Sequence, residues 1–251
     1  MAKILRNETS LQQRQLAIGR ELGLKKVTRL VAWSLTLTIL LWGGISSWRN
    51  HKPGGLVAAA FVLVLAIGYE VRLREIAVES RNIEGGRRGE HKMADLLAER
   101  LADDHLILND LELRVAHERS QIDHLVIAPS GIYVIESKFW AGTLTGDVRD
   151  AQWSQRKTNG STRSVKSPVL QCERQRRMFI TLLSAKVPED RIHAIAVFTH
   201  PATELRITNG KDRVFRINEA IRFINDRCFD PPVLTPAQAL ELAEHINHHQ
   251  T

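Results

Sequence analysis

Two long apolar segments near the start of the chain precede a region of shorter, alternating patterns. The first, residues 30–48, contains no charged residue, and as a helix it would be about 28 Å long at ~1.5 Å per residue. The second, residues 53–69, is also uncharged and would be about 25 Å long. Because the hydrocarbon core of a bilayer is ~30 Å thick, the pattern predicts a transmembrane helical hairpin over residues 30–69.

Two other interpretations of these segments are open. They would suit buried helices of a soluble core, although neither has the polar, water-facing side that such a helix usually shows. The small residues at the end of the first segment would suit a cleaved signal peptide. However, that segment is long, begins late at Leu30, and is followed by a second one, which favours two spans.

The distribution of positive charge predicts the orientation of the hairpin. The turn between the spans holds only Arg49 and Lys52. The outer flanks hold many more basic residues, namely Lys3, Arg6, Arg14, Arg20, Lys25, Lys26 and Arg29 before the first span and Arg72, Arg74, Arg81, Arg87 and Arg88 after the second. Since basic flanks stay inside, we expect a multi-pass protein of the inner (cytoplasmic) membrane with both ends in the cytoplasm.

The remaining patterns predict a soluble α/β domain after the spans. Residues 1–29 form a basic N-terminal segment, 70–84 a helical or extended stalk, 85–200 the main domain, and 201–251 a strand and helices that complete it. Helical spacing of apolar residues marks a first helix after Glu90. Strands are expected in HLILNDLEL, QIDHLVIA, GIYVIESK and TLTGDV, then a helix from Pro168 to Lys186, a strand in IHAIAVFT, a short strand in RVFRI, and helices at 219–226 and 236–248.

The composition of the chain indicates which kinds of partner and site to expect. The formal charge of the whole chain is +7, which favours nucleic acid or an anionic membrane surface. The two cysteines, Cys172 and Cys228, form no C-x-x-C pair, so neither a disulfide framework nor a zinc site is indicated. Oligomeric state has no signature here.

Three charged residues interrupt the most apolar predicted hairpin. Glu136 and Lys138 are two apart on one strand and therefore share a face, and Asp123 lies on the preceding strand. Desolvated carboxylates need a partner, and two of them suit Mg²⁺ or Mn²⁺, which would promote hydrolysis of a phosphodiester. The alternative is a structural ion pair of Lys138 with either carboxylate at a strand end.

The surroundings of these residues resemble the nuclease-related domain, or NERD, family, a branch of the PD-(D/E)xK nucleases. The resemblance covers roughly residues 85–199 and lies in GRRGE, QIDHLVIAPSGIYVIESK, WAGTLTGD, Trp153 and SPVLQ. It implies a restriction-endonuclease-like core of helix, mixed β-sheet, helix and strand. It also implies a metal site at Asp123 and Glu136, a catalytic Lys138, an accessory carboxylate Glu90, and accessory polar residues Gln121 and Gln171.

Departures from the family pattern leave the metal ligands untouched. Ile122 stands where the superfamily name has proline, Ser137 stands between Glu136 and Lys138 where threonine is more familiar, and Ser167 replaces the asparagine expected before Pro168.

A polar, basic loop is predicted at residues 155–166. Such a loop would suit contact with phosphates, and it would equally suit a merely solvated loop. With the following helix it supplies the candidate nucleic-acid-binding residues Arg156, Lys157, Arg163, Lys166 and Arg174. The sequence thus predicts a membrane-anchored, Mg²⁺-dependent nuclease acting on DNA in preference to RNA. The alternative is a non-catalytic, membrane-tethered nucleic-acid-binding or scaffold module that keeps the nuclease fold.

Overall fold

The structure, a computed structural model, describes residues 3–4, 9–50, 54–183 and 186–250. The chain divides into two compact units, one of residues 9–84 and one formed by residues 1–8 together with 85–251. Arg6 and Lys52, two of the charges used to predict the orientation, lie outside the described residues. So do Ser184 and Ala185, near the end of the predicted helix that begins at Pro168.

The unit of residues 9–84 is helical. It contains α1 (Thr9–Asn50) and the first part of α2 (Gly54–Arg100), so the predicted stalk at 70–84 is helical. By length and composition alone, Val27–Arg49 and the apolar part of α2 are long enough to cross a membrane, and only 11% of each apolar window is buried. Their apolar side chains therefore face outward, unlike those of a core helix in a soluble protein.

The two apolar helices approach each other closely at a pair of glycines. A Cβ atom added to Gly43 would lie 2.5 Å from the Gly55 carbonyl oxygen, and the reverse distance is also 2.5 Å. At the other end of the pair, Arg29 Nη2 donates to Glu70 Oε1 over 2.6 Å. Small residues at the crossing thus let the backbones pack, as in membrane helix pairs.

The second unit is built on two mixed β-sheets. The larger has the order β1-β2-β3-β4-β8-β10 and the smaller the order β7-β6-β5-β9. The strands are β1 (Lys3–Ile4), β2 (Leu106–Val115), β3 (Glu118–Ala128), β4 (Gly131–Lys138), β5 (Gly142–Asp147), β6 (Gln152–Arg156), β7 (Thr162–Lys166), β8 (Ile192–Phe198), β9 (Thr203–Thr208) and β10 (Val214–Arg216). The helices are α3 (Pro168–Leu182), α4 (Ile217–Asp226) and α5 (Pro236–His248), with single 3-10 turns at Glu189–Arg191 and Arg227–Phe229.

Helices cover both faces of the larger sheet because its central strands are apolar on both sides. Leu125 and Ile127 of β3 belong to a core with α3 and α5. Val126, between them, belongs to a second core with α2 and α4. This alternation follows from the two-residue period of a strand. The α/β class predicted from the sequence is therefore confirmed.

The predicted loop at residues 155–166 is wrong, because its two ends are the strands of a hairpin. β6 and β7 pair antiparallel, with Trp153 opposite Val165, and Thr158 and Asn159 form the turn. Gly160, whose N–H donates to the Lys157 carbonyl over 2.9 Å, follows with a φ of +83°, a conformation that favours glycine. A short polar loop that contains glycine, between two alternating segments, is a sequence signal for such a hairpin. The sequence analysis also missed β9.

Candidate metal and phosphodiester site

Three acidic residues occupy one row across three neighbouring strands of the larger sheet. The register of β2 and β3 places Asp110 opposite Asp123. The register of β3 and β4, continued by one residue past its last pair, places Asp123 opposite Glu136. Asp110 has a φ of +52°, and the regular pairing of β2 with β3 is interrupted at this position. Strand β2 is therefore distorted where the carboxylates meet. The predicted juxtaposition of Asp123 with Glu136 is present.

Glu136 is buried, and its two carboxylate oxygens have different partners. Oε1 accepts a hydrogen bond from Lys138 Nζ, and Oε2 accepts one from Gln175 Nε2 over 2.9 Å. Only 4% of the Glu136 side chain is exposed, against 22% for Lys138. The pair is thus an ion pair at the edge of the core, with the lysine reaching partly into solvent.

Asp123 is held against the next strand by the backbone. Its Oδ2 accepts a hydrogen bond from the Ser137 N–H over 2.7 Å. Burial, followed by repulsion from Glu136 and Glu90, raises the pKa of the Asp123 carboxyl well above its usual range. The Asp123 carboxyl is therefore protonated more easily than an ordinary aspartate, and the two neighbouring carboxylates contribute to this.

Glu90 joins this cluster from α2. Its pKa is raised by burial first, and then by the negative charges of Asp110 and Glu136. The structure therefore brings the predicted accessory carboxylate into electrostatic contact with the strand residues, although Glu90 lies 33 residues before Asp123 in the chain.

Lys138 carries the positive charge of the site. Burial acts to lower the pKa of its ammonium, but attraction to Glu136 and Asp123 outweighs this effect and the pKa is raised. Its Nζ also lies 3.5 Å from Gln171 Oε1, so the predicted accessory Gln171 is at the site. A lysine with a raised pKa is protonated at neutral pH and acts as a cation rather than as a base.

Gln121 borders the site through both its side chain and its backbone. Its Nε2 donates to Asp110 Oδ1 over 2.9 Å, and its carbonyl accepts from Gln175 Nε2 over 3.1 Å. Sequence reasoning missed both Asp110 and Gln175. Gln175 stands four residues after Gln171 and so shares its helix face, which was an available signal. Asp110 had no comparable signal, because its position depends on the register of β2.

The predicted nucleic-acid-binding residues do not form one patch. All five are exposed, but in the β6–β7 hairpin Arg163 pairs with Gln155, whereas Lys166 pairs with Gln152. Arg163 and Lys166 are three positions apart on β7, an odd number, so the two pairs lie on opposite faces of the hairpin. Arg156 shares the face of Lys166, Lys157 follows it in the turn, and Arg174 lies on α3, immediately before Gln175.

Arg163 is the member of this set with a connection toward the site. Its Nε donates to Gln155 Oε1 over 2.7 Å, and Gln155 Nε2 donates to the Ala141 carbonyl over 2.8 Å. Ala141 follows Lys138 by three residues, so this chain of bonds ends just beyond the last strand residue of the site.

The carboxylates fit Mg²⁺ or Mn²⁺ better than a soft metal. Among the described residues, no group of three or more His, Cys, Asp or Glu side chains has a metal-binding arrangement. Mg²⁺ needs only one or two carboxylates, because it keeps several waters. Gln175 Oε1 is buried with no hydrogen-bond partner in the described part of the chain, and it could accept a hydrogen bond from such a water. A two-carboxylate site at Asp123 and Glu136 therefore suits the chemistry of the donors.

Comparison with known proteins identifies a family domain over the region that holds these residues. A 71-residue segment is 30% identical to an uncharacterized protein from Bacillus anthracis, and it covers 28% of this chain and 34% of that relative. The chain thus spans about a third of the length of that curated relative, and no solved structure matches it. Residues 85–199 match the family of nuclease-related domains, NERD. This range includes Glu90, the row of carboxylates, Lys138 and both α3 glutamines, and the chain therefore contains a nuclease-related (NERD) domain.

Proposed function

We propose that this protein is a membrane-anchored nuclease that hydrolyses phosphodiester bonds of nucleic acid with Mg²⁺ or Mn²⁺, DNA being the favoured substrate. The observation that carries the proposal is the cluster of Glu90, Asp123, Glu136 and Lys138, assembled from one helix and two strands. An ordinary structural ion pair would need one carboxylate, whereas here the surplus carboxylates repel one another. That repulsion is a cost to folding which a bound cation would remove.

Each residue has a separate role in this proposal. Asp123 and Glu136 would hold the cation, and Glu90 would add negative charge beside it. When bound, the cation would polarise a phosphoryl oxygen and help to deprotonate water. Lys138, which stays protonated, would stabilise the extra negative charge on the attacked phosphate. Gln175 would orient Glu136 through its Nε2 bond.

The restriction-endonuclease-like fold is part of the same proposal. In the larger sheet, β2, β3 and β4 are antiparallel neighbours, and β4 pairs parallel with β8. Helix α2 precedes β2, β3 and β4 in the chain, and α3 lies between β4 and β8 in the chain. This is the helix, mixed sheet, helix and strand order that the family resemblance implies.

Membrane anchoring is supported by the two apolar helices and their exposed side chains. The proposed topology places both chain ends in the cytoplasm of the cell, where nucleic acid is accessible. A reporter fused after Thr251 should be active in the cytoplasm. Activity confined to the far side of the membrane would overturn the topology without touching the proposed chemistry.

Metal-dependent cleavage tests the nuclease directly. The purified full chain in detergent should cleave DNA, and more weakly RNA, with Mg²⁺ or Mn²⁺ and not with EDTA. Asp123→Asn should abolish both cleavage and calorimetric Mg²⁺ binding. Glu118→Gln, an exposed carboxylate change on the same strand, is the matched control and should retain both. Nucleic-acid binding by the wild type without cleavage under any metal condition would instead favour the scaffold.

A further inference from the structure

A polar cavity lies beside the proposed catalytic site. It has a volume of about 330 Å³, well above the ~30 Å³ that one water occupies in the liquid. Three cationic side chains line it, Lys92 from α2, Arg216 from the end of β10 and Arg222 from the middle of α4. The cavity thus brings together positive charge from three elements, one of which is distant in sequence from the other two.

The cations of this cavity are not neutralised by carboxylates. Within the described residues, Lys92, Arg216 and Arg222 form no ion pair, and the Arg216 guanidinium donates through Nη2 to the Pro201 carbonyl over 3.2 Å. The one acidic residue on the wall is Glu219, whose Oε2 accepts from the Arg216 backbone N–H over 2.8 Å. Three positive charges against one negative charge leave a net positive cavity.

His200 adds a neutral hydrogen-bond donor to the wall. Burial, together with the nearby Lys92, lowers the pKa of its imidazole. Its Nδ1 accepts a hydrogen bond from the Ala202 N–H over 3.1 Å, so the ring proton of the neutral form is on Nε2. The wall therefore offers charged donors together with an uncharged imidazole donor, a set that suits phosphate oxygens.

The cavity adjoins the proposed catalytic site where β4 and β8 pair. Thr199, on its wall, donates its backbone N–H to the Lys138 carbonyl over 3.1 Å. Lys92 lies two residues after Glu90 on α2, so these two side chains point to different sides of the helix. Helix α2 approaches Thr199 closely because residue 89 is glycine, where an added Cβ would lie 2.4 Å from Thr199 Oγ1.

We propose that this cavity binds a phosphate group of the nucleic acid, at a position on the strand near the phosphate that is cleaved. The inference rests on the proposed nuclease function and deepens it, because it assigns a second phosphate site to Lys92, Arg216 and Arg222. Its role is to position the strand, and no chemical step takes place there.

Salt dependence of binding tests this assignment. A lysine or arginine that contacts a phosphate contributes a slope of about 0.9 to the dependence of log K on log salt. We expect Arg222→Gln to weaken binding of a DNA duplex and to reduce that slope by about one. Lys92→Gln should behave in the same way. The matched control is Lys211→Gln, an exposed cation outside the cavity, which should leave the slope unchanged.

The measurement uses the full chain in detergent, with Ca²⁺ to permit binding while cleavage is suppressed, and a fluorescent duplex between 50 and 200 mM salt. Melting temperatures verify that each variant is folded, and the charge reversal Arg222→Glu should lower affinity further than Arg222→Gln. Comparing duplexes that have 5′-phosphate ends with duplexes that have 5′-hydroxyl ends shows whether the cavity binds a terminal or an internal phosphate. A slope change seen only with 5′-phosphate assigns the cavity to a strand end, and one seen with both assigns it to an internal phosphate.

Failure of the inference can be told apart from failure of the proposed function. If the wild type cleaves DNA but folded Arg222 and Lys92 variants keep its slope and affinity, the cavity is not a phosphate site and the nuclease stands. If the wild type binds no nucleic acid, both proposals fall.

Discussion

Replacing Lys138 with methionine removes the only cation among the described residues that bonds directly to Glu136, while keeping most of the aliphatic length of the side chain. Breaking a buried ion pair costs ~3–5 kcal/mol. Lys138 is 22% exposed and Gln175 continues to donate to Glu136, so we expect a smaller loss of unfolding free energy, about 2 kcal/mol. Denaturant unfolding of the full chain in EDTA measures it.

The same substitution should affect cleavage more strongly than binding. If Lys138 stabilises charge that develops only in the transition state, its removal should slow the chemical step by ~10²–10³-fold, as for other single charge-stabilising donors. Affinity for Mg²⁺ should stay the same or increase, because a positive charge beside the carboxylates is lost. Single-turnover cleavage, together with calorimetry for Mg²⁺, separates the two quantities.

Arginine at this position provides the decisive comparison. A planar guanidinium keeps the charge but does not reproduce a compact ammonium, so Lys138→Arg should recover stability without recovering the cleavage rate. Lys211→Met, which removes an exposed lysine away from the site, controls for the loss of one charge. Lys138 would have only a structural role if Lys138→Arg cleaves at the wild-type rate, or if Lys138→Met slows cleavage only in proportion to its unfolded fraction.

Four further predictions follow from the described contacts. Gln175→Leu leaves a buried carboxylate oxygen without its donor and should lower the unfolding free energy by ~1.5–3 kcal/mol, whereas exposed Arg177→Leu on the same helix should change it little. The pKa of His193 is lowered to about 4 by burial and then by nearby arginines, so the folded state excludes a proton that the unfolded state binds below pH 6.5. Stability should therefore fall between pH 6.5 and 4, by up to ~1.4 kcal/mol per pH unit. His193→Phe should flatten that fall in pH-dependent melting curves, and an unchanged profile would contradict the assignment. Gly43→Ile should disrupt the packing of the apolar helices in detergent, while Gly44→Ile, with nothing within 4 Å, should be tolerated. Deletion of residues 1–72 removes the two-residue edge strand β1 but should leave a soluble domain with a cooperative melting transition, and an aggregated product would argue against it.

Much of this protein could be predicted from local patterns. The uncharged segments predicted long apolar helices, because length and hydropathy are properties of contiguous residues. The strand around Asp123 and the strand that ends at Lys138 were predicted correctly for the same reason, since alternation and β-branched residues are visible without the partner strand. The Glu136–Lys138 contact also followed from sequence, because residues two apart on a strand must share a face.

Other features depended on pairing between distant segments. Asp110 joins the site only because the register of β2 against β3 places it opposite Asp123, and no local pattern specifies register. Gln175 reaches Glu136 because α3 packs over β4, a contact across 39 residues. The basic residues of 155–166 looked like one loop but lie on two faces of a hairpin, since side-chain direction is decided by strand pairing.

The sequence by itself therefore determined most of the helical and extended segments and placed Glu136 and Lys138 on one face of a strand. Only the tertiary structure decided which distant residues meet. It added Asp110 and Gln175 to the site and formed the cationic cavity of Lys92, Arg216 and Arg222 from α2, the end of β10 and α4. The physical reason is that periodicity acts over a few residues, whereas desolvation and Coulomb repulsion act between groups brought together by folding.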